Sequence, residues 1–211
     1  MKYRLINPIN KSYTAVEQVL SNRGISVNEV TNYLRTTDEC LHSPRLLDNI
    51  REGAKLYVQH LSKGSKIFVQ VDSDVDGYTS ASLLYNYTCM VAPASARNIV
   101  FRIHDGKEHG VIVDTVPDGV SLVIIPDAGS NQYKEHKVLR ERGVDVLILD
   151  HHECEEESSD AVVINNQLSQ NYPNKALSGV GVVYKFCKFI DEVMGQDIAD
   201  NYLDLVALGM N

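Results

Sequence analysis

The chain has 211 residues, 44% of them apolar, and a formal net charge of −8. That length supports one sizeable α/β domain with a small helical appendage, and the charge argues against a simple nucleic-acid coat, which would be basic, but not against an enzyme that holds phosphate through metal ions. No apolar run reaches the ~18 residues that span a bilayer, "MKYRLINPINKSY" has no signal-peptide core, and Cys40, Cys89, Cys154 and Cys187 form no CxxC, so the expectation is a soluble, cytoplasmic protein with reduced thiols.

Residues 1–65 read as a helical lead-in packed on the core. "TAVEQVLSNRG" has helical apolar spacing and an Arg-Gly stop. "SVNEVTNYL" opens on Ser26 with Glu29 three residues on, a capping-box pattern. "SPRLLDNIREGAKLYVQHLSKG" predicts one long amphipathic helix, with Ser43 as cap, Pro44 at the first helical position and Gly64 as the stop. From 66 the texture changes. Strand-like "KIFVQV", "NIVFRIH", "VSLVIIPD", "VDVLILD" and "AVVIN" are interleaved with helical "YTSASLLYNYTCMV" and "NQYKEHKVLRERG". Helices follow over "ALSGVGVVYKFCKFIDEVMG" and "NYLDLVALGMN". This alternation predicts an α/β domain over 66–211, a parallel sheet with helices on both faces. There is no internal repeat, low-complexity segment or long linker.

Three strands end in acid. "KIFVQV" runs into Asp72, Asp74 and Asp76, "SLVIIP" into Asp127, and "VDVLIL" into Asp150 followed by His151 and His152. Ligands of open parallel sheets bind at that edge. In an extended segment alternate side chains share one side, so Asp72, Asp74 and Asp76 are expected to converge. Packed carboxylates repel unless a cation sits among them. Oxygen-rich ligands with an imidazole suit Mn²⁺ or Mg²⁺, as one ion or a pair ~3.5–4 Å apart that makes hydroxide from water. A calcium loop fits poorly: Gly77 stands sixth from Asp72, but the twelfth residue is Leu83 rather than Glu. Asp127 alone would read as a turn residue or cap.

The segments "DSDVDGYTSA", "IIPDAGS" and "LILDHHE" resemble motifs of the DHH phosphoesterase superfamily. "VLSNRGIS", "LHSPRLLDNIREGA", "NKALSGVGVVYKF" and "DLVALG" extend the resemblance to the RecJ-type single-strand nucleases over nearly the whole chain. The resemblance implies Asp74, Asp76, Asp127 and His151 as metal ligands, with Asp127 able to bridge two ions. Asp72 would add a ligand or support one from behind, Asp150 would orient the His pair, and His152 would face the substrate phosphate. Two departures stand out. Where RecJ-type proteins carry Arg, three residues and Gly-Tyr-Gly, this chain has "HDGKEHG". His104 takes the arginine's place as a candidate for phosphate contact, and Lys107 and His109 become candidates for metal or phosphate contact beside the reading of a solvated polar turn. The chain also ends at "LGMN", before the family's next metal aspartate and its DHHA1-type domain, and so reads as an N-terminal catalytic fragment.

The function expected is therefore a metal-dependent phosphodiesterase cutting single-stranded DNA or oligonucleotides from the 5′ end. Single-strand-binding or repair proteins are candidate partners. A helix starting near Thr79 and Ser80 would add an anion site. Arg45, Arg51, Lys107 and Lys175 are candidates to track a nucleic-acid backbone, although each is also readable as a surface charge. "SGVG" at 178–181 reads as a tightly packed helix start. The alternatives are a short-oligonucleotide or cyclic-dinucleotide phosphodiesterase, and a non-catalytic scaffold in replication or repair.

Overall fold

The computed structural model describes residues 8–34, 41–106 and 108–210, so Lys107 and Cys40 lie outside the described residues. Two compact units form, Met1–His42 and Ser43–Asn211. In the first, α1 (Ala15–Asn22) starts with a reciprocal capping box: Thr14 Oγ1 accepts the Glu17 N–H, and Glu17 accepts the Thr14 N–H. α2 (Val27–Leu34) follows Ser26, whose N–H and hydroxyl both donate to the Glu29 carboxylate.

The second unit opens with a correction. The long helix expected from Ser43 is broken. Ser43 caps only a short 3₁₀ turn, Pro44–Leu46, and Asn49 then takes a left-handed φ of 58° before α3 (Ile50–Lys63) begins. The break lets the Asn49 amide donate to the Val163 carbonyl, 3.0 Å away, while Leu47 and Ile50 both stay buried. Gly64 ends α3 at φ 62°, as its position predicts. α3 falls in the second unit together with the sheet.

Five strands form one parallel sheet: β1 (Ile67–Val71), β2 (Ile99–Ile103), β3 (Leu122–Pro126), β4 (Asp145–Asp150) and β5 (Val162–Asn165), in the order β2-β1-β3-β4-β5. Alternation along the strands makes two cores. Ile67, Val69, Leu122, Ile124, Leu147, Leu149 and Ile164 face one side. There they meet α3, α4 (Val75–Val91) and α7 (Gly179–Met194), and the short α5 (Pro93–Ala96) follows α4. Phe68, Val123, Ile125, Val146 and Ile148 face the other side, under Leu139 of α6 (Tyr133–Glu141). α8 (Leu203–Gly209) packs on α4 and α7. Among the described residues no helix is long and apolar enough to cross a membrane.

Strand order reverses between β1 and β3, which opens a crevice at their carboxyl ends. Pro126 pairs with Leu149 and Asp150 with Asn165. One step further along that register, Asp127 stands level with Asp150. Three steps beyond the pairing of Val69 with Ile124, Asp72 stands level with Asp127. One row of polar residues therefore crosses the end of the sheet.

Candidate metal centre

Asp127 sits directly over the switch point. Its N–H extends the β3–β4 ladder by donating to Leu149 O at 2.8 Å, and its backbone is left-handed at φ 66°. A non-glycine residue there carries strain. Its side chain is 2% exposed, and Oδ1 receives no hydrogen bond. His151 Nε2 comes within 3.2 Å of that oxygen, close but out of line for a hydrogen bond, and within 3.7 Å of Asp76 Oδ2. Burial pushes the Asp127 carboxyl up to about 7; His151 opposes the rise, and the charges of Asp76 and Asp74 add to it. His151 is itself raised by Asp127 against the pull of burial. Among the described residues, Asp127, His151 and His152 place one ligand atom each within 4.8 Å of one another.

Asp150 holds the two histidines. Its Oδ1 accepts from the His151 N–H at 2.7 Å, the His152 N–H at 3.2 Å and His152 Nδ1 at 2.7 Å, while Oδ2 accepts from the Ser130 N–H at 3.0 Å. Burial alone would raise this carboxyl, yet the bonds from His152 and Ser130 hold it far below the ordinary carboxylate range. Asp150 in turn lifts His152 to about 9 against burial.

The three acids after β1 do not converge. The strand ends at Val71 and α4 starts at Val75, so the extended alternation that would align them never forms. Asp72 turns to His104 Nδ1 (3.1 Å) and His109 Nδ1 (2.8 Å) and also accepts the Ser73 N–H. Those bonds outweigh burial and lower its pKa. Asp74 is exposed and caps its own helix, accepting the Gly77 N–H at 2.9 Å. Asp76 reaches across to the start of α7, where Oδ2 accepts from Gly179 N and Oδ1 from Val180 N, each at 2.7 Å. Of the acids expected around a cation, Asp76 and Asp127 flank His151, Asp74 acts on Asp127 through its charge, and Asp72 is committed to imidazoles.

Other expectations change for equally local reasons. Thr79 and Ser80 do not begin a helix; they are buried one turn inside α4, with the Thr79 hydroxyl donating to Val75 O. At the start of α7 the Gly179, Val180 and Gly181 N–H groups are already used, by Asp76 and Ser178, and at the start of α4 Asp74 takes the Gly77 N–H. His104, expected at a phosphate, is buried with both ring nitrogens engaged, on Asp72 and on Gly110 O. Lys175 Nζ donates to three backbone carbonyls and Arg45 pairs with Glu192, so neither is a free cation, and Arg51 lies over the Phe189 ring.

The model of the DHH family, N-terminal domain, matches residues 66–210. The chain belongs to the DHH family. Among its relatives, YorK from the SPβ prophage of Bacillus subtilis (strain 168), provisionally named a single-strand DNA-specific exonuclease, is 47% identical over 209 residues, 99% of this chain and 36% of that protein. The single-stranded-DNA-specific exonuclease RecJ of B. subtilis is 32% identical over 92% of this chain and 25% of its own length. The chain thus spans about a third or less of these relatives. Its fold matches a crystal structure of exonuclease RecJ bound to manganese at TM-score 0.68 and 27% identity, over 77% of this chain and 42% of that one. RecJ of Thermus thermophilus in complex with Mn²⁺ matches at TM-score 0.65 and 26% identity, over 77% and 24%.

This DHH domain also depends on residues that sequence reasoning passed over. The Asn165 amide joins Ser130 Oγ to His152 O, each at 2.9 Å, and so braces the loop after β4. Its signal was a strand, "AVVIN", ending in a polar residue like the others. Gly179 lets α7 approach so closely that a Cβ there would collide with Asp127 Oδ1. A Cβ on Gly77 would lie 2.6 Å from Asp72 O.

Proposed function

We propose that this chain is a metal-dependent nuclease domain that hydrolyses phosphodiester bonds of single-stranded DNA, acting from the 5′ end. The observation that carries the reading is the buried Asp127 oxygen that no hydrogen bond reaches, next to an imidazole nitrogen and flanked by further carboxylates. Oxygen donors with one imidazole fit Mn²⁺ or Mg²⁺. Asp74, Asp76, Asp127 and His151 would hold one or two such ions, with Asp72 behind them. The ions supply Lewis acidity and a water acidic enough to attack phosphorus near neutral pH.

The chain's own groups do the rest. Asp127 presents a buried oxygen that no hydrogen bond occupies, beside His151. Asp76, fixed by two α7 N–H groups, is held in one orientation rather than free to splay. Asp150 keeps the proton on His152 Nδ1 and favours the imidazolium, so Nε2–H faces a phosphoryl oxygen with a charge-assisted bond. The reading assigns catalysis to residues 66–211, with 1–65 as lead-in. A cytoplasmic setting and single-strand-binding or repair proteins as partners go with it.

The test is a Mn²⁺-dependent digestion of 5′- and 3′-labelled single strands, run beside dinucleotides and cyclic dinucleotides, with Asp127→Ala as control. Cleavage of long strands from the 5′ end, with a loss of about 10³-fold or more in the control, supports the reading. Preference for the short or cyclic substrates moves it to the alternative phosphodiesterase. Undiminished activity in Asp127→Ala removes the site.

A further inference from the structure

The loop joining β2 to the turn at 113–115 is fixed at several points. Arg102 Nη2 donates to both Glu108 oxygens, at 2.9 and 2.7 Å, and Glu108 also takes the Asp105 N–H at 2.9 Å. His104 is buried and ties Asp72 to the carbonyl of Gly110. Gly110 is left-handed at φ 68°, and Gln132 clasps both the N–H and the carbonyl of Val111 next to it. A surface loop tied down in this way positions whatever it displays.

What it displays toward the site is His109. The imidazole is 54% exposed. Its Nδ1 lies 2.8 Å from Asp72 Oδ2, and an ionised carboxylate only accepts, so Nδ1 carries a proton. Nε2 makes no hydrogen bond among the described residues. The ring stands edge-on to His152, with centroids 5.3 Å apart and planes at 82°. His152 is held in the same way, Nδ1 to Asp150 at 2.7 Å. Two aspartate–imidazole pairs therefore stand side by side, each spending Nδ1 and leaving Nε2. Among the described residues, the ligand atoms that gather within 4.8 Å of one another come from Asp127, His151 and His152, and His109 is outside that group.

We propose that His109 is a substrate-contacting residue, whose Nε2–H donates to a phosphate oxygen beside the one met by His152, with Asp72 as its positioning residue. This rests on the phosphodiesterase reading above and deepens it. Phosphate oxygens only accept, so both imidazoles act as donors. In a chain of net charge −8, the two imidazole edges supply donors where the substrate phosphate must sit.

The experiment compares wild type, His109→Ala and His109→Arg, each loaded with Mn²⁺. Thymidine 5′-monophosphate binding and cleavage of a single-stranded oligonucleotide are measured, with the Mn²⁺-induced rise in Tm reporting on the metal site. In His109→Ala, mononucleotide affinity should fall roughly tenfold and kcat/KM roughly ten- to a hundredfold, the cost of one charge-assisted hydrogen bond. The rise in Tm should stay as in wild type, and His109→Arg should recover part of the binding. In addition, Asp72→Asn should move the imidazole nitrogen NMR resonances of His109 and leave those of the distant His136 in place. Unchanged binding and kcat/KM in His109→Ala would overturn the proposal. So would loss of the Mn²⁺-induced rise, which would make His109 a metal ligand. A wild type that neither binds the mononucleotide nor cleaves the strand fails the phosphodiesterase reading itself, and this proposal falls with it.

Discussion

At the amino end of β4, Asp145 is closed on both sides: His60 Nε2 lies 3.1 Å from one oxygen and Arg140 Nη1 2.6 Å from the other, and the second His60 nitrogen meets Ser65 at 3.0 Å. At the carboxyl end of the sheet the same residue types stand in a similar register. Asp150 is fully bonded, but Asp127 Oδ1 is left bare, on a strained backbone and 3.2 Å from His151. A satisfied aspartate–histidine contact holds elements together. An unsatisfied one, buried where elements already pack well, is a place for something the chain does not contain. What separates a clamp from a site is therefore the leftover bonding capacity and not the residue types.

Asp127→Asn should break the contrast most completely. Asparagine tolerates the left-handed backbone and keeps the shape, but it cannot carry the charge a cation needs. The Mn²⁺-induced rise in Tm should vanish. The metal-free protein should nevertheless gain stability, by about 1–3 kcal/mol near pH 8. The sign follows from linkage. Burial raises the folded pKa of Asp127 to about 7 from its ordinary value of 3.8, so its contribution to stability is present in acid and is lost as pH rises through about 7. Asparagine does not titrate and escapes that loss. Chemical denaturation with and without Mn²⁺ measures both effects, and a variant less stable than wild type near pH 8 would contradict the account.

The same raised carboxyl sharpens the comparison through pH alone. A cation at Asp127 must displace a proton whenever pH is below about 7. Apparent Mn²⁺ affinity should therefore climb from about pH 6 to about pH 8, by up to roughly tenfold per unit on the acid side. Calorimetric titration across that range checks this, and a flat profile would mean that Asp127 is not a ligand.

Much of this arrangement was legible in the sequence because strand pattern and strand ends are local. Five apolar runs with polar final residues placed the sheet and put Asp127, Asp150, His151 and His152 at one edge. What failed needed a boundary or a distant partner. The convergence of Asp72, Asp74 and Asp76 assumed an extended segment, and a helix starting at Val75 instead of Thr79 sent each of them elsewhere. Asp76 meets its partners on Gly179 and Val180, more than a hundred residues away, and no spacing rule announces that. The break at Asn49 depends on a carbonyl of β5. The glycine at 179 was readable as close packing, but the group it packs against was not.

The smallest expected effect lies at the closed end. Asp145→Asn removes the charge from contacts with Arg140 and His60 but keeps an oxygen that can accept from either. Its side chain is 34% exposed, so solvent already screens the pair with Arg140, and the loss should be about 0.5–1 kcal/mol. Asp145 and Asp150 bound β4, which puts the two ends of the strand about 16 Å apart at the usual rise per residue. At that separation, with no shared partner, Asp145→Asn and Asp127→Asn should add within about 0.5 kcal/mol, and Asp145→Asn alone should leave the Mn²⁺-induced rise in Tm unchanged. Coupling in a double-mutant cycle well beyond that figure would mean that the sheet transmits strain from one end to the other, and the clamp and the site would then be parts of one device.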